Sequence, residues 1–429
     1  MKTRNVLKRS GRALRRLLHL IARPVQKDRG RGGLLIQPYR GYGSSREMYM
    51  MGRVFRQPGL GQSVTKQTTR RDLLDIFRRF VRRGVRDAVV IARFGSDEQR
   101  VRTDRDGYFS IHMHFSQPLR SKHLWHSLDL ELAGPEASAN KAEGLFFVPP
   151  ENARRVIISD IDDTVMYTGV VNKALMMWRL FVQGPRSRVA FPGVAAFYQS
   201  LHHGLAGDEL NPMLYVSRGP WSIYEVLVEF FHLHRIPVGP ILFLREWGLT
   251  LQRPLPRRAE DHKLTLIRRM LALYSDLPFV LIGDSGQHDP EIYLRVIHEH
   301  PGRVLATYIR NVSREPARAK AIEELAAEVI AAGSNLLLAA DSFAMAEHAV
   351  DHGLIPPEAL VHVLKERREQ EDRTPLHATR KIEGSTQEQT QQALDAGKLE
   401  EALQEHQPDD APPNIAVQSQ SQAGHNRAT

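Results

Sequence analysis

The sequence contains no cysteine and no long apolar run. Disulfides, thiolate metal ligands and a cysteine nucleophile are therefore excluded across all 429 residues. The lack of cysteine suits a reducing compartment, so we expect a cytoplasmic protein. No stretch of eighteen or more apolar residues occurs, which leaves no candidate for a membrane-spanning helix. The chain is nevertheless 42% hydrophobic, enough to build two or three domains with real cores.

An excess of one charge is also missing from most of the chain. The formal net charge is +10, but 11 of the 59 basic residues and only one of the 49 acidic residues lie in residues 1–33. The remainder holds 48 of each sign and is neutral. A neutral body lacks the basic footprint of a nucleic-acid-binding protein, so we expect no nucleic-acid partner.

The N-terminal arm that carries the excess charge has the pattern of an amphipathic helix. At about 100° per residue, residues 4–23 place seven apolar residues opposite seven Arg or Lys residues. This pattern is typical of a helix lying in a membrane interface, so residues 1–33 predict peripheral binding to an anionic membrane surface. A helix docked on the fold, an arm that folds on nucleic acid and a mitochondrial presequence remain open alternatives.

Residues 46–149 follow an arm and glycine-rich linker over residues 1–45 and have the composition of a β-rich domain. Val85–Phe94 and Tyr108–Phe115 are rich in β-branched and aromatic residues, and one helix is predicted near Arg70–Arg83. The turn and strand at Thr103–Phe109 resemble the signature of transthyretin-like β-sandwiches. That resemblance implies a small sandwich domain.

Two histidines on the second of these strands are candidate metal ligands. His112 and His114 alternate with apolar residues, so both point to the same side of the strand. A polar strand face that meets water is the more common explanation of such a pair. No catalytic constellation is visible in this region.

From residue 150 to residue 345 apolar strands alternate with helices. This alternation predicts an α/β domain in which a doubly wound parallel sheet is covered by helices on both faces. Residues 346–429 predict a helical segment and then a disordered Gln- and Pro-rich tail. The predicted strands are Arg155–Ser159, Met213–Val216, Ile241–Leu244, Phe279–Ile282, Val304–Ile309 and Asn335–Leu338. The predicted helices are Lys173–Phe181, Val194–His202, Ser222–His234, Lys263–Tyr274, Pro290–His298 and Ala317–Ala331.

Acidic residues cluster where the first of these strands ends. Asp160, Asp162 and Asp163 follow an apolar run within four residues. Such carboxylates repel one another unless a cation lies among them, and Mg²⁺ prefers a few carboxylates together with water and substrate phosphate. The sequence therefore predicts a magnesium site at this strand end.

Further polar residues stand at later element boundaries. Ser217 follows the second strand, Lys263 begins a helix, and Asp284 and Asp289 follow the strand at Phe279–Ile282. Taken singly, each has an ordinary explanation as a helix cap, a turn residue or a solvated lysine. Their joint occurrence in this order favours a shared phosphate and metal site at the carboxyl ends of the strands.

The same order of motifs resembles the haloacid dehalogenase-like superfamily. A narrower similarity is carried by segments 158–164, 191–194, 215–217, 220–221, 262–263 and 283–293 and by Tyr224. Through them, residues 154–312 resemble the catalytic domain of the actin-patch-associated phosphatidate phosphatase family and its bacterial relatives. Arg218-Gly219 departs from the small polar residues of the corresponding family loop.

The resemblance implies roles for the candidate residues. Asp160 would be the nucleophile that forms an aspartyl-phosphate, Asp162 the general acid and base, and Ser217 and Lys263 the ligands of the phosphoryl oxygens. Mg²⁺ would be held by Asp160, the backbone carbonyl of Asp162, Asp284 and Asp289. Thr164 would orient the loop.

The expected substrate is a phosphomonoester. About fifty residues separate Thr164 from Ser217, too few for a large lid domain, so the site should have a small cap or none. An open site suits a bulky substrate, such as a lipid head group or a phosphoprotein. Together with the basic arm, the family resemblance implies phosphatidate, hydrolysed to diacylglycerol and phosphate at a membrane surface. A soluble phosphatase of a small metabolite or phosphoprotein is one alternative. A non-catalytic, membrane-associated scaffold is the other.

Overall fold

A computed structural model describes most of the chain between residues 33 and 371. The described ranges are 33–56, 84–119, 123–134, 141–166, 190–218, 221–243, 259–313, 315–371 and 415–417. Four predictions concern segments that lie wholly or mostly outside the described residues: the amphipathic arm, the helix near Arg70–Arg83, the helix at Lys173–Phe181 and the disordered tail. Within that tail, the prediction of disorder is wrong for Ile415–Val417, because these residues form a strand that pairs with Leu336–Leu338. Within the described ranges, no helix has both the length and the apolar character needed to cross a bilayer.

The N-terminal part of the described chain is an eight-stranded β-sheet with the order β1-β3-β2-β8-β7-β4-β5, and β6 pairs with β3. The strands are β1 (Leu34–Pro38), β2 (Gly41–Gly43), β3 (Glu47–Arg56), β4 (Val89–Phe94), β5 (Asp97–Arg102), β6 (Tyr108–His114), β7 (Trp125–Leu132) and β8 (Lys141–Phe147). The region is thus rich in β-strands, as predicted. Its relation to transthyretin-like sandwiches stays a prediction.

Residues 34–43, which the sequence assigned to a linker, form β1 and β2 of this sheet. Gly41 and Gly43, two of the glycines that suggested a linker, serve close packing instead. A Cβ atom on Gly41 would lie only 2.5 Å from the carbonyl oxygen of Tyr49 on β3. A larger residue would push β2 away from its neighbour, so glycine is required here by the tight approach of two backbones.

Alternating side chains build the core of the β-rich region. On β6, Phe109, Ile111 and Met113 are buried, whereas His112 and His114 are exposed. The buried residues pack with apolar side chains of β3, β4, β7 and β8. One face of β6 therefore belongs to the core and the other carries the two histidines to solvent.

The second region is α/β with a parallel sheet, as the sequence predicts. Its strand order is β11-β10-β9-β12-β13-β14-β15, and every pair is parallel except the antiparallel β14–β15. The strands are β9 (Val156–Asp160), β10 (Met213–Ser217), β11 (Ile241–Phe243), β12 (Phe279–Asp284), β13 (Val304–Arg310), β14 (Leu336–Ala339) and β15 (Ile415–Val417).

Helices cover both faces of this sheet. They are α1 (Val194–His203), α2 (Tyr224–Leu233), α3 (Ala259–Leu273), α4 (Asp289–Glu299), α5 (Pro316–Ala331), α6 (Ser342–Asp351) and α7 (Ala359–Glu371). A 3₁₀ turn, Trp221–Ile223, precedes α2. Side chains of α1, α2, α6 and α7 form one core cluster, and those of α3, α4 and α5 form the other. Successive residues along a strand place their side chains alternately in the two clusters, as expected for a sheet covered on both sides.

Aromatic side chains join the two regions. Tyr39, which follows β1, is buried and stacks on Trp221 with ring centroids 4.4 Å apart. The hydroxyl of Tyr224 accepts a hydrogen bond of 2.9 Å from the backbone N–H of Arg40. Trp221 lies four residues after Ser217, so the β-rich region contacts the α/β region close in sequence to a residue of the candidate site.

Candidate active site

The candidate residues meet where the strand order of the parallel sheet reverses. β9 lies between β10 and β12, so the chain passes to opposite sides of β9 as the sheet grows. Crevices form beyond the carboxyl ends of the strands at such a point. Asp160 and Asp284 are the last residues of β9 and β12 and therefore stand side by side at this crevice.

Lys263 is buried between two of the acids. Its Nζ donates to Asp160 Oδ1 at 2.7 Å and to Asp289 Oδ1 at 2.6 Å, and all three side chains are 0% exposed. Apolar side chains of α3 pack with strands of the sheet in one core cluster, and Lys263 lies in the first half of this helix. The second carboxylate oxygen of Asp160, Oδ2, is buried and has no hydrogen-bond partner among the described residues.

Asp289 can approach the sheet because residue 283 is glycine. A Cβ atom on Gly283 would lie 2.3 Å from Asp289 Oδ2, well inside any permitted contact. Asp289 Oδ2 instead accepts the backbone N–H of Asp284 at 3.3 Å, while Oδ1 accepts Lys263. The side chain that begins α4 is thus fixed against the end of β12.

The carboxylate of Asp284 is held from two sides. Its Oδ1 accepts the backbone N–H of Gly286 at 2.8 Å, and its Oδ2 accepts Gln287 Nε2 at 2.8 Å. Gln287 Nε2 also lies 3.3 Å from the backbone carbonyl of Asp162. Gln287 therefore links the loop after β12 to the loop after β9.

Asp162 points away from the three-acid cluster and toward the end of β10. Its Oδ2 accepts Ser217 Oγ at 3.3 Å and the backbone N–H of Arg218, also at 3.3 Å. Asp162 is half-buried, whereas Ser217 is fully buried. A hydroxyl and a backbone amide thus converge on one carboxylate oxygen at the strand end.

The loop that joins these residues is tightly folded. Asp163 has a left-handed backbone with φ of 57°, and the N–H groups of Val165 and Met166 both donate to the carbonyl of Ile161. Arg310 Nε donates to the carbonyl of Thr164 at 3.1 Å. These contacts fix the chain direction between Asp160 and Asp162.

Burial dominates the electrostatics of the cluster. It raises the pKa of Asp160 to about 7; Lys263 opposes this, and Asp289 and Asp162 add to it. Burial, reinforced by the charges of Asp289 and Asp160, raises the pKa of Asp284 to about 9. Burial acts to lower the pKa of Lys263, but the two carboxylates that it contacts outweigh burial and raise that pKa.

The donor set fits a divalent cation with a preference for oxygen. Ligand oxygens of Asp160, Asp284 and Asp289 lie within 4.8 Å of one another, and all three residues are buried. The single lysine of this cluster contacts Asp160 and Asp289 and cannot neutralise all three carboxylates. Mg²⁺ takes oxygen ligands of this kind and keeps positions for water and phosphate.

The structure brings together most of the residues that the sequence singled out. Asp160, Lys263, Asp284 and Asp289 form one buried group, and Ser217 with Asp162 forms an adjoining pair. Two contributors received no role from the sequence: Gln287, which binds Asp284, and Arg310, which binds the loop at Thr164. Gln287 stands within the acidic motif at 284–289. Arg310 ends β13, and no pattern around it signals its function.

Comparison with known proteins gives a consistent result for this region. Residues 155–311 match the family described as "Phosphatidate phosphatase APP1, catalytic domain". The Saccharomyces cerevisiae protein named phosphatidate phosphatase APP1 is 33% identical over 155 residues, which cover 36% of this chain and 25% of that protein. An uncharacterized protein of Schizosaccharomyces pombe is 31% identical over 160 residues, again 36% of this chain and 25% of the relative. The chain thus matches about a quarter of the length of these relatives, and the family match lies within its α/β region.

Similarity to solved structures is weak. A carbohydrate acetylesterase from Xanthomonas citri gives a TM-score of 0.22 with 10% identity over 67% of this chain and 71% of that chain. Similarity at this level carries no argument about fold or function.

Proposed function

We propose that the α/β region is a magnesium-dependent phosphatase of the haloacid dehalogenase type, with a small cap or none, and that phosphatidate is its substrate. Hydrolysis would give diacylglycerol and inorganic phosphate. The match of residues 155–311 to a phosphatidate phosphatase catalytic domain supports the substrate class. The chemistry rests on the site itself.

One observation carries the proposal: the two oxygens of Asp160 have unequal surroundings. Oδ1 is bound to the ammonium of Lys263, whereas Oδ2 is buried with no partner among the described residues. A buried carboxylate oxygen without a partner loses hydration and gains nothing in return. Such an oxygen is suited to a ligand, and a phosphoryl group that it attacks would be that ligand.

Asp160 would attack the phosphorus atom of the substrate. The bond between that phosphorus and the alcohol oxygen would break, which forms an aspartyl-phosphate and releases the alcohol. Asp162 would donate a proton to the departing oxygen and later take one from the water that hydrolyses the intermediate. Burial raises the pKa of Asp162, which favours the protonated form needed at the first step. The water oxygen ends on inorganic phosphate, and Asp160 is regenerated.

The remaining side chains would hold the phosphoryl oxygens and the cation. Ser217 Oγ and the N–H of Arg218 both donate to Asp162 Oδ2 at the end of β10, and with substrate bound they would donate instead to an anionic phosphoryl oxygen. Lys263 supplies a fixed positive charge. Asp160, Asp284, Asp289 and the carbonyl of Asp162 would hold Mg²⁺, which when bound neutralises charge on the transferring phosphoryl group.

The proposal also places the protein on a membrane. Phosphatidate resides in a bilayer, and the basic arm at residues 1–33 would bring a cytoplasmic enzyme to an anionic surface as a peripheral protein. Removal of the arm should weaken binding to anionic vesicles. It should leave turnover of a soluble ester unchanged.

The decisive experiment measures phosphate release by the full chain from phosphatidate in vesicles and from a panel of soluble phosphate esters. We expect phosphatidate to be the preferred substrate and Asp160→Asn to reduce turnover on the order of 10³-fold or more. Asp208→Asn makes the same chemical change at an exposed position and should leave turnover intact.

Two results would contradict the proposal at different levels. A preference for soluble esters would favour the metabolite or phosphoprotein phosphatase. Absence of turnover on every substrate, with the fold intact by circular dichroism, would favour the scaffold.

A further inference from the structure

A second group of metal-ligating side chains lies in the β-rich region, apart from the acidic site. Within the described ranges, only two groups of three His, Asp or Glu residues place their ligand atoms within 4.8 Å of one another. One is the buried acidic cluster. The other consists of Glu47, His112 and His114, and it contributes nothing to the proposed phosphatase chemistry.

The pairing of two strands places the three side chains on one face. β3 and β6 are antiparallel, with Glu47 opposite His114 and Tyr49 opposite His112. Residues directly opposite each other share a face, and so do residues two apart on one strand. Glu47, His112 and His114 therefore project together from the side of β6 that faces away from the core.

The ligand atoms converge on a small volume. Glu47 Oε2 lies 2.5 Å from His112 Nε2 and 3.8 Å from His114 Nδ1, and all three ligand atoms lie within 4.8 Å of one another. In a tetrahedral zinc site with bonds of about 2.0–2.1 Å, neighbouring ligand atoms are about 3.4 Å apart. The separations in this protein bracket that value, so small side-chain rotations are enough to seat an ion.

Tyr49 supports this arrangement from the side. Its hydroxyl donates to Glu47 Oε2 at 3.2 Å, and its ring stacks on the His112 ring with centroids 4.0 Å apart. The guanidinium of Arg269, on α3, lies 5.4 Å from the centre of the Tyr49 ring. A hydrogen bond that orients a carboxylate, such as that from Tyr49 to Glu47, is typical of the surroundings of metal ligands.

We propose that Glu47, His112 and His114 form a binding site for a divalent transition-metal ion, with Zn²⁺ the best fit. Two imidazoles and one carboxylate suit zinc, whereas magnesium and calcium prefer oxygen ligands alone. The side chains of His112 and His114 are 40% and 70% exposed, which leaves room for water as a further ligand. A hydrogen bond to Glu47 is enough to explain the position of the His112 ring. An ion shared by the three side chains also explains why the His114 ring is turned toward the same Glu47 oxygen.

Zinc titration of the full chain by calorimetry tests the proposal, with saturating Mg²⁺ present to occupy the acidic site. We expect one zinc ion per chain at the β-rich region. His112→Ala and His114→Ala should each weaken binding at least tenfold. Tyr49→Phe should weaken zinc binding less than either histidine variant does, because it removes only an orienting hydrogen bond.

His298→Ala is the matched control, since it removes an exposed imidazole from α4 and should not alter zinc binding. Cobalt gives an independent readout: the full chain should develop the strong visible absorption of a tetrahedral ion, and His112→Ala should not. Unchanged zinc affinity in both histidine variants would overturn the proposal. So would zinc binding that is lost in Asp284→Asn but retained in His112→Ala.

Discussion

The acidic site and the Glu47–histidine group both gather ionisable side chains into a small volume. The side chains of the acidic site are buried, whereas those of the Glu47–histidine group are partly exposed to solvent. Asp160, Asp289 and Lys263 are entirely buried, so each charge depends on its neighbours for stabilisation. Glu47 and His112 stand at a sheet face where water shares that task. Removal of one partner from a buried pair leaves an uncompensated charge, whereas removal from an exposed pair leaves a hydrated one. The two sites should therefore respond very differently to equivalent changes.

Lys263→Met should produce the largest effect on stability. It leaves Asp160 and Asp289 buried without their shared cation, and we expect the free energy of unfolding to fall by about 3–5 kcal/mol in the absence of metal. Denaturant unfolding near neutral pH measures this loss. The loss should shrink in acid, where protonation removes the unpaired charges. Lys365→Met, at an exposed position of α7, is the control and should change stability by less than about 0.5 kcal/mol.

Magnesium should stabilise the protein more as the pH rises. The pKa values of Asp160 and Asp284 are raised to about 7 and about 9, so without metal the folded chain holds protons that the unfolded chain releases above about pH 4. The free energy of unfolding should therefore fall as the pH rises toward about 9, and bound Mg²⁺ should offset that fall. Thermal melting with and without Mg²⁺, at about pH 6 and about pH 9, measures the difference. An equal increase in Tm at both pH values would contradict this account.

Gly283→Ala should impair the buried site through geometry alone. The added methyl group would lie 2.3 Å from Asp289 Oδ2 and displace the carboxylate that Lys263 binds. We expect a loss of about 1–3 kcal/mol of stability together with a loss of turnover. Gly302→Ala is a useful comparison, because its Cβ meets nothing within 4 Å and only its backbone angle is strained. Full activity in Gly283→Ala would show that the position of Asp289 matters little.

Glu47→Gln should give the smallest effect. The amide has the same shape, and the altered contact with His112 is partly exposed, so the free energy of unfolding should change by less than about 1 kcal/mol in the presence of a chelator. Denaturant unfolding of Glu47→Gln and of Lys263→Met under the same conditions compares the two losses in free energy of unfolding. A loss as large as that of Lys263→Met would show that the exposed group is structurally as important as the buried one.

The sequence predicted the elements of the α/β region well because its strands are apolar and its helices periodic. Asp160, Ser217 and Asp284 were expected at strand ends, and each is the last residue of its strand. The strands extend one or two residues further than their apolar runs, because those final polar residues still pair within the sheet. What the sequence could not indicate is that Lys263 binds Asp289 as well as Asp160, since that contact depends on how α3 packs.

The β-rich region was less predictable. Asp97–Arg102 forms β5, yet its sequence is almost entirely polar and shows no apolar alternation. The partnership of Glu47 with His112 spans 65 positions and depends on the register of β3 against β6. Strand registers arise from contacts distant in sequence, so the two histidines were recognisable as candidates but their carboxylate partner was not.

The stacking of Tyr39 on Trp221 affects where this chain can be divided. Similarity to the phosphatase relatives begins at residue 155, but the ring that covers Trp221 comes from the opposite end of the described chain. A fragment that started at the point of similarity would leave the indole and the neighbouring Tyr224 uncovered beside the loop that follows Ser217. The two regions should accordingly melt in one cooperative transition, and the smallest piece able to fold alone should include both.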